Sequence, residues 1–274
     1  MKYKMITRGD EASNTIAKLI KDCYLQEDEE VVFNPDHVFA IGGDGTFLRA
    51  VHDLFMNSTP SLESNCIIHG INTGTLGFYT SYTPVKEQMD ELFSNIRNNN
   101  CSVKKVKPLS FWIKYGNQET DGGIALNDIT ITTKERKTLT AKVFIQEDNS
   151  YNYFEKFKGT GLCFSTALGS TAYNKALGGA VVHPDFKIIQ MTEMAGINSI
   201  AYQTLASPMI LPEDTEIDIE TNDNIVITFD HESKTYTDNI SAIAISTLDT
   251  VFNIDVTNND NFAEKLKRSF IISK

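Results

Sequence analysis

Residues 37–56 read HVFAIGGDGTFLRAVHDLFM, and this stretch decides the fold of the first part of the chain. His37–Ile41 (HVFAI) reads as a buried strand. Gly42, Gly43 and Gly45 interrupt it, and from Thr46 onward Phe47, Leu48, Val51, Leu54 and Phe55 recur on one helical face. Strand, glycine turn and amphipathic helix repeat on either side. Lys2–Thr7 alternates ahead of a helical stretch, Asp10–Tyr24, with Ile16, Leu19, Ile20 and Cys23 along one face. Residues 66–71 (CIIHGI) form another apolar strand ending in Asn72-Thr73-Gly74, and Pro84 opens a helix through Val85, Met89, Leu92, Phe93 and Ile96. This alternation predicts an α/β N-terminal domain with a parallel sheet.

After Asn98–Asn100 the texture changes. Residues 102–158 hold the β-branched and aromatic segments SFWIKY, ITITT and AKVFIQ, and residues 215–256 hold EIDIE, IVITF, KTYT, ISAIAIS and TVFNIDV. Such runs, separated by turn residues, predict a β-rich, sandwich-like C-terminal domain of antiparallel strands. The expected division is therefore an α/β domain over 1–100, a β-rich domain over 101–256, and a return of 257–274 to the first domain as a short helix or strand.

The chain has 274 residues, with 25 Lys+Arg against 36 Asp+Glu and a net charge of −11. That balance argues against nucleic acid or an anionic membrane as a general partner, because both require clustered cations. The acidity is local: residues 211–264 contain 13 acidic side chains against the single Lys234. A small polyanion can still be held elsewhere. Cys23, Cys66, Cys101 and Cys163 are dispersed without a CxxC pair, which suggests reduced thiols rather than a disulfide frame or metal knuckle. With no signal-like N-terminus and no long apolar run, a soluble cytoplasmic protein is expected.

Three glycine-rich segments carry the chemistry. In Gly42-Gly43-Asp44-Gly45-Thr46 the glycines allow close backbone approach, and the helix start behind them offers N–H groups to a phosphate. It is neither a Walker A loop nor a GxGxxG fingerprint. Asp44 in its centre would hold Mg²⁺, accept a proton from an attacking hydroxyl, or cap the helix. The second segment, residues 70–78 (GINTGTLGF), follows the next strand, so the two loops converge at the carboxyl edge of a parallel sheet. The third, residues 158–179 (KGTGLCFSTALGSTAYNKALGG), runs from an apolar strand into a hydroxyl-rich turn. There Ser170 and Thr171 are placed to cap a helix and grip an anion or sugar hydroxyls.

Taken together, GGDGT (42–46), GINTGTLGF (70–78), LND (126–128), GTGLCFSTALGSTAYNKALGG (159–179) and TEMAGINS (192–199) resemble the NAD kinase family, in family order and over most of the chain. The resemblance implies an α/β domain joined to a β-rich domain and phosphorylation of the 2′-hydroxyl of the adenosine ribose of NAD. It implies ATP as donor, Mg²⁺ or another divalent cation carried mainly on the ATP phosphates, NAD and NADP as ligands, and a homo-oligomer, commonly a tetramer. Asp44 matches the family's general base, in a phosphate loop of Gly42, Gly43, Gly45 and Thr46. Arg49 matches a basic nucleotide-binding position, and Phe78 ends a loop near the adenine. Asn127 and Asp128 match the Asn-acidic pair that binds the dinucleotide. Thr171, Ala172, Tyr173, Asn174, Lys175 and Ala176 match the segment around the adenosine end.

Lys158 and Thr160 match a pair that approaches the nicotinamide half, Ala195 a further contact there, and His231 a histidine near the diphosphate. Two positions depart from the family pattern: Thr160 stands where an Asp is usual, and Ala167 where a Pro is usual. The alternatives are a catalytically weak NAD/NADP-binding sensor and another GGDGT-type kinase acting on a lipid or sugar phosphate.

Overall fold

The computed structural model describes residues 1–57, 65–74, 77–116, 118–135, 137–148, 150–237, 240–256 and 261–272. Thr75 and Leu76 of the second glycine segment, and 257–260 and 273–274 of the expected returning segment, lie outside the described residues.

The chain opens with β1 (Lys2–Thr7), α1 (Glu11–Tyr24), β2 (Glu29–Glu30), β3 (His37–Gly42), α2 (Asp44–Asn57), β4 (Ile67–Asn72), α3 (Lys86–Arg97) and β5 (Val103–Val106). It continues through β6 (Leu109–Tyr115), β7 (Gln118–Ala125), β8 (Asp128–Thr133), β9 (Leu139–Glu147), β10 (Ser150–Gly159) and β11 (Gly161–Thr166). A 3₁₀ turn, Gly169–Thr171, precedes the single-turn α4 (Tyr173–Ala176). Then come β12 (Ile188–Met194), β13 (Met209–Pro212), β14 (Ile217–Thr221), β15 (Ile225–Phe229), β16 (Glu232–Tyr236), β17 (Ala242–Thr247), β18 (Phe252–Asp255) and α5 (Phe262–Phe270).

Two compact units result, one made of Met1–Val106 with Thr250–Lys274, the other of Lys107–Asp249. In the first, a six-stranded sheet runs β2-β1-β3-β4-β18-β5. Every neighbouring pair in it is parallel except β18 with β5. Strand β3 is buried from Val38 to Gly42, as a parallel strand covered on both faces must be. Phe39, Ile41, Ile71, Ile20 and Leu92 form the centre of its core, each contributing roughly 1.5–3 kcal/mol over remaining exposed. Helix α1 starts at Asp10, whose carboxylate accepts the Ser13 N–H at 2.8 Å.

The second unit is a sandwich of two antiparallel six-stranded sheets, β10-β9-β14-β17-β6-β7 and β13-β12-β11-β8-β15-β16. Phe111, Ile113, Val143 and Ile243 from one sheet and Ile131, Phe164 and Ile227 from the other share one core. The sequence placed residues 101–106 and 250–256 in this unit, whereas the structure assigns them to the first. Strand β18 enters the parallel sheet between β4 and β5, and Phe252 pairs with Val106. A sheet edge offers N–H and C=O groups to any strand that reaches it, however distant in sequence, and TVFNIDV has the same β texture as its sandwich neighbours.

Candidate active site

In the first unit the two glycine segments meet through one side chain. Asp44 opens α2, and its carboxylate reaches across to the loop after β4. Its Oδ2 accepts the Phe78 N–H at 2.8 Å and its Oδ1 the Tyr79 N–H at 2.9 Å. The glycines around it have separate reasons. A Cβ on Gly42 would stand 2.2 Å from Thr46 Oγ1, and one on Gly77 would stand 2.1 Å from Thr80 Oγ1 and 2.6 Å from Asp44 Oδ1. Cβ atoms on Gly43 or Gly45 would meet no atom of the described residues within 4 Å, so neither glycine is required by close packing against them. Asn72 folds its loop by accepting the Gly74 N–H at 2.7 Å, while the Thr73 N–H bonds the Gly42 carbonyl at 3.0 Å. Lys265, on α5, donates to the Phe78 carbonyl at 2.9 Å, and the Phe270 ring lies 6.1 Å from the Phe78 ring.

In the second unit Asn127 and Asp128 begin β8. Asp230, at the β15–β16 turn with a left-handed φ of 52°, accepts the Leu126 N–H and the Asn127 N–H, both at 2.8 Å. Asp128 is 8% exposed. Burial foremost, then the Asp230 charge, pushes its carboxyl up to about 7, against a lowering bond from the Tyr173 N–H. The glycine-rich turn after β11 packs against the same place. A Cβ on Gly169 would lie 1.9 Å from the Asn127 carbonyl oxygen. Thr166 donates through Oγ1 to the Leu126 carbonyl at 2.5 Å and accepts the Gly169 N–H at 3.0 Å.

Ser170 does not cap a helix here. Its hydroxyl is buried, accepts the Val182 N–H at 2.9 Å and donates to the Val182 carbonyl at 3.2 Å. The following helix, α4, is one turn long. Asn174 is fully buried, with Oδ1 accepting the Thr192 hydroxyl at 2.7 Å and Nδ2 without a partner among the described residues. Thr171, Ala172, Tyr173, Lys175 and Ala176 remain at least partly exposed.

Two domain models match in order: the ATP-NAD kinase N-terminal domain over residues 4–101 and the ATP-NAD kinase C-terminal domain over 126–254. The NAD kinase of Staphylococcus saprophyticus is 38% identical over 240 residues, spanning 85% of this chain and 84% of the relative. The chain belongs to the NAD kinase family. The NAD kinase of Staphylococcus aureus is 36% identical over the same shares. Two solved structures share the fold. One is an NAD kinase from Archaeoglobus fulgidus in complex with ATP, with a TM-score of 0.74 and 20% identity over 97% of this chain and 99% of that one. The other is yeast NADH kinase complexed with NADH, with a TM-score of 0.80 and 17% identity over 100% and 89%. Membership sets this family member among phosphotransferases, away from a GGDGT lipid or sugar-phosphate kinase.

The remaining residues expected from the sequence are dispersed within their units. Arg49 is exposed and donates to the Thr7 carbonyl, so its guanidinium lies at the carboxyl end of β1. Lys158, on β10, stands 4.7 Å from the centre of the Tyr202 ring, a cation–π contact. Thr160 joins β10 to β11 with its N–H on the Met194 carbonyl at 2.8 Å, and Ala195 follows with a left-handed φ of 46°. His231 is at the surface beside Glu232, 3.3 Å away. Sequence reading missed Asp230 and Lys265, and it gave Gly77, inside the quoted 70–78 segment, no role of its own. Asp230 had a signal, an Asp in a strand–strand turn. No helix among the described residues is long and apolar enough to cross a membrane.

Proposed function

We propose that this family member transfers the γ-phosphate of ATP to the 2′-hydroxyl of the adenosine ribose of NAD, giving NADP and ADP. The observation that carries the reading is the fixed carboxylate of Asp44, held at a glycine cradle by two N–H groups of the next loop. Each oxygen accepts one N–H and keeps further lone-pair capacity. The ribose hydroxyl oxygen attacks the γ-phosphorus, the bond to the ADP oxygen breaks, and the hydroxyl proton passes to Asp44. Mg²⁺ or another divalent cation comes with ATP as part of the substrate and spreads the phosphate charge. Gly43 and Gly45, which meet no described residue within 4 Å, suit phosphate oxygens next to the N–H groups of the helix start.

In the second unit, Asn127 and an ionised Asp128 take ribose hydroxyls. Thr171, Ala172, Tyr173, Lys175 and Ala176 face the adenosine, and the unpartnered Nδ2 of Asn174 is a further donor. Lys158, Thr160 and Ala195 serve the nicotinamide half and His231 the diphosphate. The same reading includes a cytoplasmic homo-oligomer, a tetramer by family resemblance, which sedimentation equilibrium checks. Activity is tested with NAD, ATP and Mg²⁺, following NADP through a glucose-6-phosphate dehydrogenase couple. Tight NAD binding without NADP formation would mean a sensor instead.

A further inference from the structure

The sheet of the first unit buries a set of donor atoms that phosphoryl transfer does not use. His69 on β4 and Asp255 at the end of β18 are both fully buried, and Cys101, just ahead of β5, is half-buried. A ring nitrogen of His69, the Cys101 sulfur and a carboxylate oxygen of Asp255 all lie within 4.8 Å of one another. Strand register explains the meeting. Ile254 pairs with Ile68, which brings Asp255 beside His69, while Asp255 pairs with Val103, two residues from Cys101 and on the same face.

Asp255 is not satisfied by its neighbours. Its Oδ2 lies 2.7 Å from His69 Nδ1 and accepts the Tyr82 hydroxyl at 2.9 Å. Its Oδ1 is buried with no hydrogen-bond partner among the described residues. A buried carboxylate oxygen left this way is costly unless a cation or donor meets it. Behind His69, Nε2 stands 2.9 Å from His37 Nδ1, the outer partner that orients a ligating imidazole.

The geometry points to a binding site for a zinc-class divalent transition metal, formed by His69, Cys101 and Asp255, with water or the Tyr82 hydroxyl as fourth ligand. Imidazole, thiolate and carboxylate are the donors such ions take in tetrahedral sets. Mg²⁺ and Ca²⁺ prefer more oxygens than this cluster offers. Tetrahedral donors at zinc bond lengths stand about 3.3–3.6 Å apart. The sulfur therefore moves inward by about 1 Å, and the His69–Asp255 contact opens by somewhat less as the metal takes the place of the shared proton. That proton and the thiol proton leave to solvent. Tyr82 also bonds the backbone of Gly70 and Asn72, at 3.1 and 2.7 Å, so the metal braces the base of the loop that holds Asp44.

The test uses the full chain, stripped with a chelator and titrated with Co²⁺, then Zn²⁺. One equivalent of Co²⁺ is expected to give intense tetrahedral ligand-field bands with a thiolate charge-transfer band, and Zn²⁺ to erase both. Cys101→Ser should abolish the charge-transfer band and weaken Zn²⁺ binding by about 10- to 100-fold or more, while Cys23→Ser, at an exposed position on α1, changes neither. Should Cys101→Ser not fold, X-ray absorption of the zinc-loaded wild type decides, with a sulfur expected at about 2.3 Å. Octahedral Co²⁺ bands without a thiolate transition, a zinc shell without sulfur, or unchanged Zn²⁺ affinity in folded Cys101→Ser would overturn the site.

Discussion

Asp44 combines two tasks that ordinary substitutions do not separate. As a base it should contribute roughly 10²–10⁴-fold. As an acceptor it also fixes the Phe78 and Tyr79 N–H groups, and an Asn retains a single acceptor oxygen for the two. Asp44→Asn is therefore expected to lower kcat by at least that factor while also loosening the loop, seen as a lower Tm; a near wild-type rate of NADP formation would remove Asp44 from the chemistry. Asp128 makes a second prediction at this scale. Its carboxyl sits at about 7 when folded, against about 3.9 in an unfolded chain. The folded protein thus retains a proton that the unfolded chain has released. The resulting stability is present in full below about pH 4 and is lost as pH rises through 7. Denaturant unfolding from pH 5 to 8 should show this decline in the wild type and a flatter profile in Asp128→Asn. NAD affinity should move the opposite way, rising from pH 6 to 8 only in the wild type, because ribose hydroxyls donate to the ionised form. Some of these roles were legible in the residues and some were not. An Asp among three glycines stands out, but Asn174, inside an apparent ligand motif, also bonds Thr192 in the core. Sequence cannot say which face of a single-turn helix points inward.

At the level of elements, the alternation of apolar runs and glycines was sufficient for β3, α2, β4 and α3, because each carries its own periodicity. The helix after Ser170 was over-read: hydroxyls and glycines after a strand mark a tight turn as readily as a helix cap, and the backbone of Val182 takes the serine. The glycines themselves divide into two kinds that a motif does not distinguish. Gly42→Ala drives a methyl into Thr46 and should destabilise the protein by about 1–3 kcal/mol, measurable by urea unfolding. Gly45→Ala meets no atom of the described residues within 4 Å, so its stability should hold while the KM for ATP rises. Helix α5 is a third case. Lys265→Met removes the donor to the Phe78 carbonyl and should cost about 1 kcal/mol with a measurable loss of NADP formation, since the same residue presents its N–H to Asp44.

For the whole molecule, the α/β and β-rich characters were readable, but the path of the chain was not. Val106 and Phe252 are paired neighbours, and nothing local in either strand announces a partner so far along the sequence. The sandwich unit is consequently an insertion at what would otherwise be a hairpin. Replacing residues 107–251 by Asn-Gly, a turn suited to antiparallel neighbours, should leave a first unit that folds alone, with helical circular dichroism and a cooperative melt. A non-cooperative melt would show that this unit depends on the insertion.

The position of β18 also bears on how the protein is made. On the ribosome, β1 to β4 emerge early, but the strand that covers the open edge of β4 follows the whole of Lys107–Asp249. At about 5–20 residues per second, that interval lasts roughly 7–30 s. The sandwich, encoded in the middle, can complete itself first, while the α/β sheet waits with one edge bare and β5 unattached. Helix α5, which holds the Phe78 carbonyl, follows β18. A nascent chain therefore completes this sheet only after Lys107–Asp249 has been made, and the bare edge of β4 stays open to mispairing until β18 appears.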